Sequence, residues 1–347
     1  MLAILYCLLS GCDVSYVARG GYEAMRLLWN RKPISSELAS GDISRDTRDK
    51  LETVLRVRDF ARDKLGLKVG GAYETITNVD ANAITWVVMA APRDSLTPYE
   101  WWFPIVGSVP YRGYFNKADA EAEARRLQDQ GYDTFVRPAV AFSSLGWFDD
   151  PVLSNMLNLD RVELAGVIIH ELFHRTYFAP GEVMFNESAA NYVGDRGAVD
   201  FFSATSGADS EDAKAARALM ESNLRFAEFL LQAEAQLLRL YSSDLPTAEI
   251  LARRPAAFQK IQSDYARLKP QLYGLSRFDL DEQPLNNAVF LSYQIYFHEL
   301  SDFAALEALH HHDTRATIAA IISLAKSNPV DPFYAIWQAA EAGRYSS

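Results

Sequence analysis

The 347-residue chain is 49% apolar, 12% aromatic and 23% charged, an ordinary globular composition that excludes disordered, collagenous and low-complexity classes. Its 34 Lys and Arg stand against 45 Asp and Glu, a net charge of −11 without a polybasic tract. That argues against nucleic acid as a partner, because binding it leans on clustered positive charge. The two cysteines, Cys7 and Cys12, both fall in the opening segment, so a disulfide scaffold, a CxxC redox pair and a Cys-rich zinc knuckle are excluded from the body of the protein.

Residues 1–11 are almost wholly apolar and uncharged, about as long as a signal-peptide hydrophobic region and short of the ~20 residues that cross a bilayer as a helix. Leu9-Ser10-Gly11-Cys12 resembles a bacterial lipobox, which implies that residues 1–12 form a signal segment and that Cys12 becomes a lipidated N-terminus. Asp13 resembles an inner-membrane retention signal. The expectation is a cell-envelope protein anchored by lipid to the inner membrane and facing the periplasm. The start, Met1-Leu2-Ala3, lacks the Lys or Arg that usually opens a signal peptide, and an apolar N-terminal helix packed on the fold is the alternative.

The next elements follow from periodicity and punctuation. A helix is predicted over 16–31, broken by Pro33, and a second over roughly 45–65 with Leu51, Val54, Leu55, Val57 and Phe60 at helical spacing. From there the period shortens: 83–90, 102–114 and 134–142 read as strands, with a helix between the last two that Asn116 caps and Gly131 closes. From 150 onward strand signals nearly vanish, and helices are predicted over 161–178, 186–204, 209–241, 246–270, 286–311, 314–327 and 330–343. The expected class is α+β, with a mixed lobe over 13–150 that contains a small sheet, a helical lobe over 151–347, and the active site at their junction.

At that junction stands Val167-Ile168-Ile169-His170-Glu171-Leu172-Phe173-His174, an HExxH pattern. Two histidines four apart lie one turn apart on one helix face, so both imidazoles reach a single metal, and Glu171 is placed to act as general base on a metal-activated water. A catalytic zinc needs a third protein ligand. Position 180, six residues after His174, is Pro180 rather than a third histidine. The carboxylates Glu182 and Glu187 follow, and Glu187 is favoured because it falls on a helix that can face the first. Arg175 and Thr176 stand where zinc peptidases usually keep an uncharged and then an apolar residue.

The run Phe185-Asn186-Glu187-Ser188-Ala189-Ala190 resembles the NExxA helix with which gluzincins provide their third ligand, at a shorter spacing than in the prototypes. Together with HELFH, the blocks Trp102 to Gly107, Tyr111 to Phe115, Gly131 to Asp133 and Ser143 to Pro151 resemble the predicted-aminopeptidase family of bacterial lipoproteins. The resemblance covers roughly 15–330 and implies a zincin-like fold and a gluzincin-type zinc metallopeptidase acting on peptides.

Other candidates carry less specific signals. Asn186 and Asn191 are candidate supports for the ligands, Asn191 as an acceptor from a free imidazole N–H. Residues 141–147, with Ser144 and Gly146, read either as an edge strand that pairs with an extended peptide or as a core strand. Arg112 reads as a carboxylate-binding group or an internal ion-pair partner, and Asp149-Asp150-Pro151 as a helix cap. Tyr296, with Tyr293 and His298 on the same predicted helix, is the candidate donor to the oxyanion. His310-His311-His312 reads as an exposed helix end. Two further functions stay open: a membrane-tethered scaffold on a degenerate zincin fold, and a zinc amidase acting on a non-peptide or cell-wall amide.

Overall fold

The computed structural model describes residues 21–22, 25–79, 85–103, 107–139, 148–274, 280–281 and 283–344. Residues 1–20, with the lipobox and Cys12, and 140–147, with Ser144, Gly146 and the candidate edge strand, lie outside them. Residues 21–22 and 25–29 are helical, within the stretch predicted as the first helix; β1 (Lys32–Pro33), α1 (Ile34–Ser40) and α2 (Arg45–Phe60) follow. Ser44 caps α2 by accepting from the Thr47 amide, and the helix buries Leu51, Val54 and Val57 on one face. It continues as a π turn, Ala61–Leu65, closed by Gly66 at φ 75°, a left-handed stop that glycine adopts without steric cost. There follow β2 (Thr75–Thr77), β3 (Thr85–Ala91), β4 (Trp101–Phe103), β5 (Gly107–Val109), β6 (Arg112–Tyr114), α3 (Lys117–Asp129), β7 (Asp133–Ala139) and β8 (Val152–Leu153).

These strands form three small sheets, ordered β1-β2-β8, β6-β3-β7 and β4-β5. The second positions the site. Its central strand β3 pairs antiparallel on both sides, with Val88 opposite Arg112 and Val136, and Val87 opposite Gly113 and Arg137. Val88 and Ala90 pack with Trp101 and with Ala120, Ala124 and Leu127 of α3, which Asn116 caps through the Ala118 amide. Val87, Met89 and Ala91 pack on the other face against Val183, Ala288, Leu291 and Ile295. Both faces are covered, which is why β3 reads as a continuous apolar run instead of alternating.

The second half is helical: α4 (Arg161–Thr176), α5 (Val183–Ser206), α6 (Glu211–Tyr241), α7 (Thr247–Leu268), α8 (Asn287–Phe297), α9 (Leu300–Leu309), α10 (Thr314–Ser327) and α11 (Pro332–Arg344). The architecture is therefore mixed α+β with a helical C-terminal half. The main apolar core runs without a break from Leu27 and Ile34 to Phe303 and Ile336, through both halves.

One predicted helix is two. The stretch 286–311 breaks at His298 and Glu299, where Glu299 takes φ 51° and the His298 amide donates to the Ser188 hydroxyl, 3.1 Å away, instead of to its own helix. Among the described helices none is long and apolar enough to cross a membrane.

Candidate metal centre

The centre is built where α4 and α5 cross. Asp160 starts α4 by accepting from the amides of Val162 and Glu163. The two middle residues of the HExxH run, Leu172 and Phe173, are fully buried, and at about 2–3 kcal/mol for each such side chain they fix the rotation of the helix. The helices approach closely because Gly166 and Gly194 meet: a Cβ on Gly194 would stand 2.6 Å from the Gly166 carbonyl oxygen. The turn between the helices is fastened by Asn186, whose Oδ1 accepts from the Ala179 amide at 2.8 Å and whose Nδ2 donates to the Ala179 carbonyl at 2.7 Å. The asparagine thus braces the connection that sets the register of Glu187.

With this register His170, His174 and Glu187 converge. The two Nε2 atoms lie 3.0 Å apart, and Glu187 Oε2 lies 3.2 Å from that of His170 and 3.5 Å from that of His174. Zinc bound at roughly 2.0–2.1 Å in tetrahedral geometry separates its ligand atoms by about 3.3 Å, so the triangle matches one face of such a site in size and in donor chemistry. His174 is 4% exposed. Burial alone would lower the imidazole pKa, but the carboxylates of Glu187 and Glu171 raise it. Burial alone would likewise raise the Glu187 carboxyl, yet His174 and His170 hold it well below its ordinary range. Glu182, the competing carboxylate, stands at the N-terminal boundary of α5 without a side-chain cap bond and outside this group, and is pushed up by burial and by Asp331 and Glu100.

Glu171 faces the same chamber. Its Oε2 is buried without a hydrogen-bond partner among the described residues, and its charge acts on His174, Tyr73, Tyr111 and Tyr296. Tyr73 arrives on a tight turn, buried at φ 60°, a left-handed conformation that costs a non-glycine residue on the order of 1–2 kcal/mol. The Gly70-Gly71 pair before it permits the approach of Arg175 and Asp149, whose side chains would clash with a Cβ at either position. Here the unusual exit of the HExxH helix acquires its reason. Arg175 donates to Asp149 Oδ1 and the Phe148 carbonyl, both at 2.8 Å, while the Thr176 hydroxyl accepts from the Lys68 amide at 2.9 Å. Asp149 accordingly serves as a brace for α4, not a cap.

Tyr296 comes to the centre from α8, its ring centroid 6.3 Å from that of His170. Two residues of α5 hold that end of α8: Ser188 donates to the Ile295 carbonyl at 3.0 Å, and Asn191 Nδ2 donates to the Tyr296 carbonyl at 3.0 Å. Asn191 thus ties α8 down, and no imidazole contact of it is seen among the described residues. Tyr293 packs instead on Phe226, with ring centroids 5.8 Å apart, and His298 on Phe333. His311 and His312 are exposed just past the end of α9, as expected; His312 Nδ1 lies 2.9 Å from Oε1 of the buried Glu307, which Tyr192 and Arg196 of α5 also contact.

The arginine facing the triad is Arg137, not Arg112. Arg112 shares its row with Val88 and Val136, the face covered by α3, where its charge acts on Glu123. Arg137 lies one residue out of phase, opposite Val87, and its Nη2 donates to the Tyr296 hydroxyl at 3.0 Å. Burial, which alone would lower the guanidinium pKa, is outweighed by Tyr296, Glu187 and Tyr111, and the pKa is raised. Tyr111, half-buried beside the same groups, is pushed well up by desolvation and by Glu187. Tyr111 opens one of the blocks that carry the family resemblance, though nothing there gave it a role, and no motif announced Tyr73 or Arg137; the one available signal for the latter was a lone arginine at an inward position of β7.

A family model described as "Putative aminopeptidase" matches residues 15–331. No curated protein and no solved structure gives a match.

Proposed function

The chain belongs to that aminopeptidase family, and from this premise we propose that it is a zinc-dependent peptidase of gluzincin type on a zincin-like fold. The observation that carries the reading is the triangle of His170 Nε2, His174 Nε2 and Glu187 Oε2, with edges of 3.0, 3.2 and 3.5 Å, beside the unpartnered carboxylate oxygen of Glu171. The three residues would hold the ion, and zinc when bound supplies a Lewis acid that acidifies water and polarises a carbonyl.

The chain's own groups do the rest. Glu171, whose Oε2 has no competing hydrogen-bond partner among the described residues, takes the proton of the attacking water and delivers it to the departing amine. The Tyr296 hydroxyl, kept protonated by burial and by Glu187, accepts from Arg137 and so keeps its own proton to donate to the substrate carbonyl oxygen as negative charge gathers there. Stripping the metal with a chelator should abolish peptide hydrolysis and one equivalent of zinc should restore it; hydrolysis that survives metal removal would refute the assignment.

The same proposal places the protein at the cell envelope, with Cys12 as its lipid anchor. What supports it is the Leu9-Ser10-Gly11-Cys12 run and the exposed stripe that follows: Tyr22, Met25 and Trp29 are 68, 44 and 83% exposed, whereas Leu27 and Leu28 are buried. Aromatic residues so placed suit a membrane interface. Mass spectrometry of the membrane fraction tests it, and an unmodified Met1 on soluble protein would sink it.

A further inference from the structure

An enzyme that selects an N-terminal ammonium needs negative charge beside the reacting atoms, yet beyond Glu171 the charge without an ion-pair partner that the described residues bring toward the triad is positive. Arg137 is half-buried on β7, with its Cζ 5.3 Å from the Tyr296 ring centroid. One N–H goes to the Tyr296 hydroxyl; Nε is buried without a partner, and no described carboxylate forms an ion pair with the guanidinium. Other arginines in comparable burial are paired: Arg58 with Glu74, Arg175 with Asp149, Arg196 with Asp200 and Glu307, Arg254 with Asp133. Withdrawing a guanidinium from water without a counter-ion is costly, and its planar fork matches a carboxylate. Tyr296 links the two ends of the chamber, its ring near His170 and its hydroxyl on Arg137, so an anion on the arginine would lie beside a substrate whose carbonyl faces the triad.

We propose that Arg137 binds the free C-terminal carboxylate of the substrate, which makes the substrates short peptides, with that carboxylate one or two residues beyond the cut bond at roughly 3.5 Å per residue. This inference rests on the zinc-peptidase reading. Hydrogen bonds to a charged group contribute about 1.5–3 kcal/mol, on the order of 10- to 100-fold. The zinc-loaded protein should therefore cleave a dipeptide or tripeptide acid with kcat/KM higher by that factor than its C-terminal amide.

In Arg137→Met the acid-to-amide ratio should fall to within about threefold of one, and Arg137→Lys should restore part of it, because a lysine keeps the charge without the fork. A ratio near one in the wild type overturns the proposal. So does an equal fall for both substrates in Arg137→Met, which would leave the arginine only the positioning of Tyr296. Calorimetry on zinc-loaded Glu171→Gln, with the same acid and amide as probes, reads binding without turnover. Equal affinities overturn the carboxylate subsite. Tighter binding of the acid by a protein whose wild type cleaves no peptide upholds the subsite and removes the peptidase reading instead.

Discussion

Gly194→Ala tests whether the α4–α5 crossing sets the metal site. The new methyl would stand 2.6 Å from the Gly166 carbonyl oxygen and 3.3 Å from His170 Cβ. Neither neighbour is the far end of a flexible side chain, so the helices must separate by a sizeable fraction of an ångström. Overpacking of this kind costs about 1–3 kcal/mol, offset by up to ~1 kcal/mol from replacing a helical glycine with alanine. At about 2.1 cal/mol/K of unfolding entropy per residue, a net 2 kcal/mol lowers Tm by about 3 °C in a chain of this length. The larger effect should be functional, because the crossing lies one turn from His170: a misplacement approaching 1 Å can cost on the order of 100-fold, read as weaker zinc binding and lower kcat/KM. Gly166→Ala is the control at the same contact. Its methyl meets the Gly194 carbonyl at 3.7 Å, ordinary contact, so stability should be unchanged or raised. Wild-type zinc affinity and stability in Gly194→Ala, or damage in Gly166→Ala equal to it, would refute the reasoning.

Asn186→Ala leaves both the amide and the carbonyl of Ala179 without the side-chain partners they have now. At about 1–3 kcal/mol for an unsatisfied buried group, a denaturant melt should show a loss of that order, together with weaker zinc binding in a chelator competition. Glu187→Gln keeps the shape of the third ligand and removes its charge. Zinc affinity should fall by more than the roughly 10- to 100-fold that losing a supporting group costs. His298 is lowered from 6.5 to about 4 by burial, so the stability of its neutral form is complete above pH 6.5 and is lost as pH falls toward 4. Relative to His298→Gln, the wild type should lose about 2–3 kcal/mol between pH 8 and 4.5. The adjacent Glu299, raised to about 7 by burial and by Asp302, Glu234 and Asp331, works in the opposite sense: what it contributes below 4.5 is lost as pH rises through 7. Glu299→Gln should therefore stabilise the protein more at pH 8 than at pH 5.

The donors of the centre were legible in the sequence to the extent that they depend on local geometry. His170 and His174 are set by the helical period alone, and Glu187 by its place on the next helix. What brings the three within 3.5 Å is tertiary: the Gly166–Gly194 contact and the clamp of Asn186 on Ala179, neither implied by spacing. The arginine depended on register. Arg112 and Arg137 lie on strands either side of β3, whose apolar run hides which face is which, and only the pairing of Val87 with Arg137 shows that the latter turns toward the triad. The break at Glu299 has no glycine or proline to announce it, because the Ser188 hydroxyl on another helix takes the His298 amide. Strands β1, β2 and β8, of two or three residues, are too short to carry a period.

The most direct test of the account is the Glu171→Gln variant, assayed for zinc content and peptide hydrolysis beside the wild type. The expected result is one zinc per chain in both, with hydrolysis lower by about 100- to 10,000-fold in the variant. Undiminished hydrolysis in Glu171→Gln, or a wild type that binds no zinc, would contradict it.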